Sequence, residues 1–258
     1  MNPRALQQAI VRMMIDPAFV AQVHGKRPVP GLAEDERALL RAVNRRAFTT
    51  DRFRRARAVQ ALVEEYPCSA AAIGLTAVDA FLSAPEFAAC VADRGSMALS
   101  FGTWLKDQAS GVGVIEAAIA RLRRPTAITA HEPGALRCGP RFAALLVPEG
   151  TLAWYEATRA WLGALPLQRI ADHGRRPGLP RRGLTRRQGE ECALLEARGD
   201  GSMDLGTASE ALVRLLRFAD RPRSRGALEA EAEARGAEAH EAAEVIDELL
   251  AGGLLVPA

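Results

Sequence analysis

A chain of 258 residues exceeds the usual span of a single core, so one larger and one smaller domain are expected. With 48% hydrophobic but only 5% aromatic residues, and with Ala, Leu, Arg and Glu dominant, the composition excludes a disordered chain and a β-sandwich and favours helices. A net charge of +3 is too small at this length to imply nucleic acid, and no apolar run approaches the ~20 residues that a bilayer-spanning helix needs.

The opening MNPRALQQAIVRMMIDP has polar residues where a signal peptide needs a continuous apolar stretch, which gives a cytoplasmic expectation. Residues 1–125 read as a helical domain. Between Arg41 and Arg57 lie seven arginines and one acid, Asp51. Phosphate would satisfy such a run, but charge runs on helices are usually exposed faces. Arg41, Arg45, Arg52 and Arg55 are therefore expected to be solvated or to pair with acids on a partner.

Thr50 is placed to cap a helix with Val59, Leu62, Val63 and Tyr66 on one face, ended by Pro67. Ser96 caps another, with Met97, Phe101, Trp104, Leu105 and Gln108 on one side. In a third, Ile115, Ile119 and Leu122 point inward. "GVGVIE" at 111–116 begins like a dinucleotide fingerprint but lacks a preceding strand and a third glycine, so it reads as a helix start.

Residues 126–189 read as a connector. It holds the best buried-strand candidate, RFAALLV from Arg141 to Val147, then a turn at 148–150. A helix capped by Thr151 follows, carrying Leu152, Tyr155, Trp161, Leu162 and Leu165, with Trp154 and Thr158 off that stripe. Its Trp and Tyr rings could stack a peptide but suit a core better. From Arg169 to Gln188 seven arginines stand against Asp172 among Gly and Pro, the composition of a linker.

The third segment, 190–258, begins with short strands at 192–197 and 202–205 around a turn at 198–201 that suits positive φ. Thr207 with Glu210 suggests a capping box, and Leu212, Leu215, Leu216 and Ala219 follow on one helical face. A second helix starts near Ser224. The third runs from about Ala239 to Ala251 with Ala242, Val245, Ile246, Leu249 and Leu250 inward. Leu254 to Val256 can add a last short strand. The fold expected is mainly α with a small α+β part: an N-terminal helical domain and a C-terminal winged-helix-like domain.

Winged helices often bind DNA, and a winged-helix transcriptional regulator using the arginine-rich segments is the alternative reading. However, Glu229 to Glu248 holds eight acids against the single Arg235, and such a helix repels phosphates. The other use of this shape is to pair an extended peptide with an open strand edge beside a helix. A scaffold without a peptide ligand is a third possibility.

The residues carry a resemblance at this point. "GEECALLEARGDGSMDLGTASEALVRLL…AEVIDELLAGGLLV" resembles the RiPP recognition element, the leader-binding domain of ribosomal natural-product pathways. "DRFRRARAVQALVEEYPCSAAAIG" and "FAALLVPEGTLAWYEATRAWLG" resemble partner proteins of multinuclear non-heme iron oxidative enzymes, including the smaller subunit of methanobactin-type synthases.

The resemblance implies a non-catalytic subunit that binds a precursor's leader and presents its core to a separate barrel enzyme in a heterodimer. Iron belongs to that partner, and this chain holds no cofactor or metal of its own. It further implies a peptide-binding site on an edge strand of Ser202, Met203, Asp204 and Leu205, faced by Glu241, Val245 and Glu248. Met203, Leu205 and Val245 also suit the core of a small domain, and a groove wall serves both roles. The acidic helix implies a leader with Lys or Arg near it.

No catalytic constellation competes with this reading. His24, His131, His173 and His240 are scattered, and "HEAAE" at 240–244 lacks the second histidine of a zinc-protease motif. Cys68, Cys90, Cys138 and Cys192 are widely spaced without CxxC, which implies buried, reduced thiols.

Overall fold

In the computed structural model, residues 1–49, 52–108, 111–124, 133–163 and 189–258 are described. The Thr50 cap, Asp51, Pro125, Leu165 and the arginine-rich stretch 169–188 lie outside the described residues. The chain divides into two compact units, Met1–Ala109 with Ala157–Pro180, and Ser110–Glu156 with Arg181–Ala258.

The first unit is built from short helices because proline and glycine punctuate it. In order these are α1 (Pro3–Met13), α2 (Pro17–His24), α3 (Glu34–Ala42), α4 (Arg45–Thr49), α5 (Arg52–Glu65), α6 (Pro67–Ile73), α7 (Leu75–Phe81), α8 (Pro85–Asp93) and α9 (Met97–Gln108). Helices α1, α2, α6 and α8 each carry proline in their first turn, where its missing N–H costs nothing. Pro67 thus ends one helix and starts the next. The Asp16 carboxylate caps α2 by accepting the Ala18 and Phe19 N–H groups at 3.0 and 3.2 Å.

Two apolar groups hold this unit. Met13, Phe19, Val20, Val23 and Leu40 bury one stripe each of α1, α2 and α3. Tyr66, Phe81, Phe101 and Trp104 form the other, with edge-on ring pairs 5.0 Å apart for Tyr66–Phe101 and Phe81–Phe101. The Tyr66 hydroxyl donates to the Ala98 carbonyl at 2.6 Å, so this buried ring leaves no orphaned polar group.

Two of the arginines expected to face solvent or a partner serve this unit instead. Arg55 donates to both carboxylate oxygens of Asp79 at 2.6 and 2.8 Å and to the Ile15 and Asp79 carbonyls at 2.8 Å. Arg41 donates to Glu34 at 3.2 Å and to the Val23 carbonyl at 2.9 Å. A fork of five N–H donors finds uncapped carbonyls at helix ends as readily as a foreign acid.

The second unit contains α10 (Val112–Leu122), β1 (Ala135–Cys138), β2 (Phe142–Pro148), the start of α11 (Thr151–Gly163), β3 (Glu190–Ala197), β4 (Met203–Thr207), α12 (Glu210–Phe218), β5 (Arg223–Ser224), α13 (Arg225–Ala234), α14 (Ala239–Ala251) and β6 (Leu255–Pro257). "GVGVIE" is indeed a helix start. Gly111 precedes α10 at φ +59°, and a Cβ there would lie 2.4 Å from Thr151 Oγ1.

The strands form two antiparallel three-stranded sheets, ordered β5-β1-β6 and β2-β3-β4. In the second, Phe142 pairs with Glu196 and Pro148 with Glu190, while Ala193 pairs with Thr207 and Ala197 with Met203. Strand β3 is therefore central. The sequence boundaries at 125 and 190 differ from this division, since α10, β1 and β2 group with the C-terminal segment.

Alternation sets the two faces of that sheet. Ala144, Leu146, Cys192 and Leu194 pack on the cluster formed by Val213, Leu216, Leu228, Ile246 and Leu249 of α12, α13 and α14. Leu145, Val147, Ala193 and Leu195 alternate with them and are buried on the opposite face, where α10 packs against β2 and β3. Trp154 and Tyr155 of α11 are buried as a core reading requires. The fold is mainly helical with small antiparallel sheets.

Candidate functional site

Strand β4 ends the order β2-β3-β4, with β3 as its one partner among the described residues. The hydrogen-bond phase shows which of its backbone groups are used. Arg198 N–H donates to the Ser202 carbonyl at 2.9 Å, and Ala208 N–H to the Cys192 carbonyl at 3.1 Å. Both belong to the register in which Glu196 faces Asp204 and Leu194 faces Gly206. In an antiparallel ladder alternate residues turn both backbone groups to the same neighbour. Asp204 and Gly206 thus bond β3, and the N–H and C=O groups of Met203, Leu205 and Thr207 point to the open side.

The sheet's other edge, β2, is less accessible. Ala144, Leu145 and Val147 are buried, and Pro148 closes the strand, whereas no residue of β4 is buried. An exposed edge is a template for another strand.

Of the residues expected at the site, Met203 and Leu205 are half-buried, and Asp204 is exposed. Ser202 lies one residue before β4, in the turn, where its N–H and hydroxyl donate to Asp200 Oδ1 at 2.8 and 2.6 Å. Those bonds hold the Asp200 carboxyl below its ordinary range. Asp204 pairs with Arg198 across the hairpin, and Arg141 with Glu196 at 2.6 Å.

The pleat separates these side chains. Met203 and Leu205 share the face of Ala197 and Leu195, whereas Asp204 and Gly206 share that of Glu196 and Leu194, toward the α12–α14 cluster. Gly206 was not singled out from sequence. A Cβ there would meet nothing within 4 Å, so space stands open above the strand on that side. Half-buried Leu194, Ala208, Leu212 and Val245 all pack on the same cluster.

On α14 the three expected residues have different environments. Val245 is half-buried against the cluster. Glu241 accepts the Glu238 N–H at 3.0 Å, so its carboxylate helps cap its own helix. Glu248 is exposed and forms no ion pair among the described residues. On the other flank Asp247 pairs with Arg225 at 2.7 Å, and this guanidinium holds the Asp247 carboxyl below its usual range. Arg225 also donates to Glu229 at 2.7 Å and to the Ala243 carbonyl at 3.3 Å, tying the start of α13 to the 243/247 side of α14. The 241/245/248 stripe lies on the opposite flank of a 3.6-residue helix.

None of the four cysteines forms a disulfide; Cys68 and Cys90 are buried, and Cys138 and Cys192 half-buried. Burial, with Asp220 adding to it, pushes the Cys138 thiol up to about 12, and burial raises Cys192 as well. Neither is a thiolate near neutrality. Among the described residues no three His, Cys, Asp or Glu side chains are grouped to hold a metal ion, and no single helix is long and apolar enough to cross a membrane.

No protein-family model matches the chain, and no curated protein matches it. What the described residues offer is a β edge with no second strand among them, beside an apolar shelf and an acidic helix flank.

Proposed function

We propose that the chain is a non-catalytic, leader-binding partner subunit of an iron-dependent peptide-modifying enzyme, with a winged-helix-like recognition domain at its C-terminal end. The observation that carries this reading is the outward ladder of Met203, Leu205 and Thr207 on an exposed edge. A leader added there would gain main-chain bonds, and its alternate side chains would fall on the Gly206 side, over Leu212 and Val245. Glu248, with no ion-pair partner among the described residues, suits a Lys or Arg of that leader. The exposed Glu241, Glu244 and Glu248 disfavour duplex DNA at the same place.

The mechanism is positioning. A tethered core reaches the partner's active site at an effective concentration of about 1 mM for a suitable linker. The iron belongs to the barrel enzyme, and this chain's own residues bind and orient.

The test is modification of the precursor peptide by the barrel enzyme with and without this chain. Turnover that falls about a hundredfold without it, and falls equally when the leader is removed, supports the assignment. Equal modification of leaderless peptide means a scaffold, and salt-dependent binding of duplex DNA means a regulator; either result overturns it. Gly206→Leu isolates the groove, since its side chain enters open space. It should leave the melting temperature unchanged and weaken leader binding.

A further inference from the structure

We infer that the first unit carries a second, separate binding site: a cleft for an aliphatic carboxylate between α1, α8 and the start of α9. Its volume of about 410 Å³ lies in the range of small-molecule sites.

The lining is polarised. Where the start of α1 meets the end of α8, Arg4 and Gln8 donate to the Ala92 carbonyl and Arg94 donates to Gln7 Oε1. These four polar side chains form one end of the cleft. Beyond them the wall turns apolar, with Val11 further along α1, Ile15 in the turn just past its end, Phe87 and Val91 further back along α8, and Met97.

Among the described residues two guanidiniums and no carboxylate line the cleft, so its charge complement is an anion. The apolar half offers only the Cys90 thiol to a polar ligand group. A peptide lying there would bury N–H and C=O groups without partners, whereas a hydrocarbon chain would not. From Arg4 to Val11 the helical wall runs about 10 Å at 1.5 Å per residue, and Ile15 carries it past the helix end, a length that suits an extended chain of roughly eight to twelve carbons.

Arg94 supplies an independent observation. It adopts φ +53°, the one non-glycine residue at positive φ among the described residues, at the C-cap of α8. Glycine is the relaxed choice for a left-handed cap. An arginine in that position, with its guanidinium at the polar end of the cleft, places local strain and a charge at the same spot.

The experiment is calorimetric titration of the whole chain with dodecanoate below its micelle concentration. One equivalent should bind in the micromolar range, and dodecyltrimethylammonium should not. Arg4→Gln should weaken binding about tenfold. Val11→Trp should abolish it; Val11 is 39% exposed, so the fold tolerates the larger ring. Arg94→Gly should separate the two roles of that residue, raising the melting temperature while weakening dodecanoate. No binding of dodecanoate, equal binding of the cationic amphiphile, or binding indifferent to Val11→Trp would each overturn the assignment. This outcome is independent of the leader reading, which rests on the second unit.

Discussion

Asp16 and Glu241 are both helix-capping carboxylates, but their surroundings differ. Asp16 is 1% exposed and also receives the Ser83 hydroxyl at 3.1 Å and Arg12 at 3.4 Å. Asp16→Ala therefore orphans the buried Phe19 amide and the part-buried Ala18 amide at the start of α2, and should cost about 2 kcal/mol in denaturant unfolding. Glu241 caps α14 at the surface, and Glu241→Ala should lower stability by about 1 kcal/mol. Glu248→Lys, by contrast, should stay within about 0.5 kcal/mol of the parent, because the residue is exposed and unpaired among the described residues. Its effect should appear in leader affinity and in its dependence on salt. If Glu241→Ala weakened the leader without destabilising the fold, the division of roles on this helix would be wrong.

At the scale of the element, the hairpin β3–β4 allows a paired test, because adjacent residues of β4 face opposite partners. Leu205→Pro removes an outward N–H, which the folded sheet does not use, and should reduce leader affinity with a modest loss of stability. Asp204→Pro removes an N–H that bonds β3, and should destabilise the hairpin by about 3 kcal/mol or more. Thermal melts and leader titration of the two variants read the phase directly; the opposite ranking in the melts would mean that the ladder is shifted by one residue. Much of this hairpin was legible in sequence, since alternation and the turn at 198–201 are local signals. The same holds for α12 to α14, whose apolar stripes are periodic over two or more turns. What was not legible depends on partners far along the chain. Strand β1 is four residues containing Arg137, and its pairing with β5 and β6 is set by segments more than 80 residues away. The Gly206 shelf was missed for a related reason: a glycine in a strand signals space only once the neighbouring elements are placed. Arg41 and Arg55 look like surface charge in sequence because several of their acceptors are carbonyls of Val23, Ile15 and Asp79, which have no sequence signature, and because the Asp79 carboxylate that Arg55 grips lies 24 residues away.

For the whole molecule, the division of the chain has a testable consequence. Composition changes sharply near 190, which makes the last segment look self-sufficient, yet β3 is the middle strand and its seven-residue register with β2 reaches back to Phe142. A fragment of 190–258 would lose that pairing and expose Ala193 and Leu195, both 0% exposed in the intact chain, on an open two-stranded sheet. Two strands with one uncovered face are marginal in water. A fragment of 110–258 keeps β1, β2 and α10, and with them both faces of the sheet. The longer fragment should therefore melt cooperatively and bind leader with the affinity of the full chain, whereas the shorter one should show a broad, weak transition by circular dichroism and self-associate through its open edges. A cooperative melt from 190–258 alone would show that the C-terminal core closes without its upstream strand, and would move the domain boundary back to where composition places it.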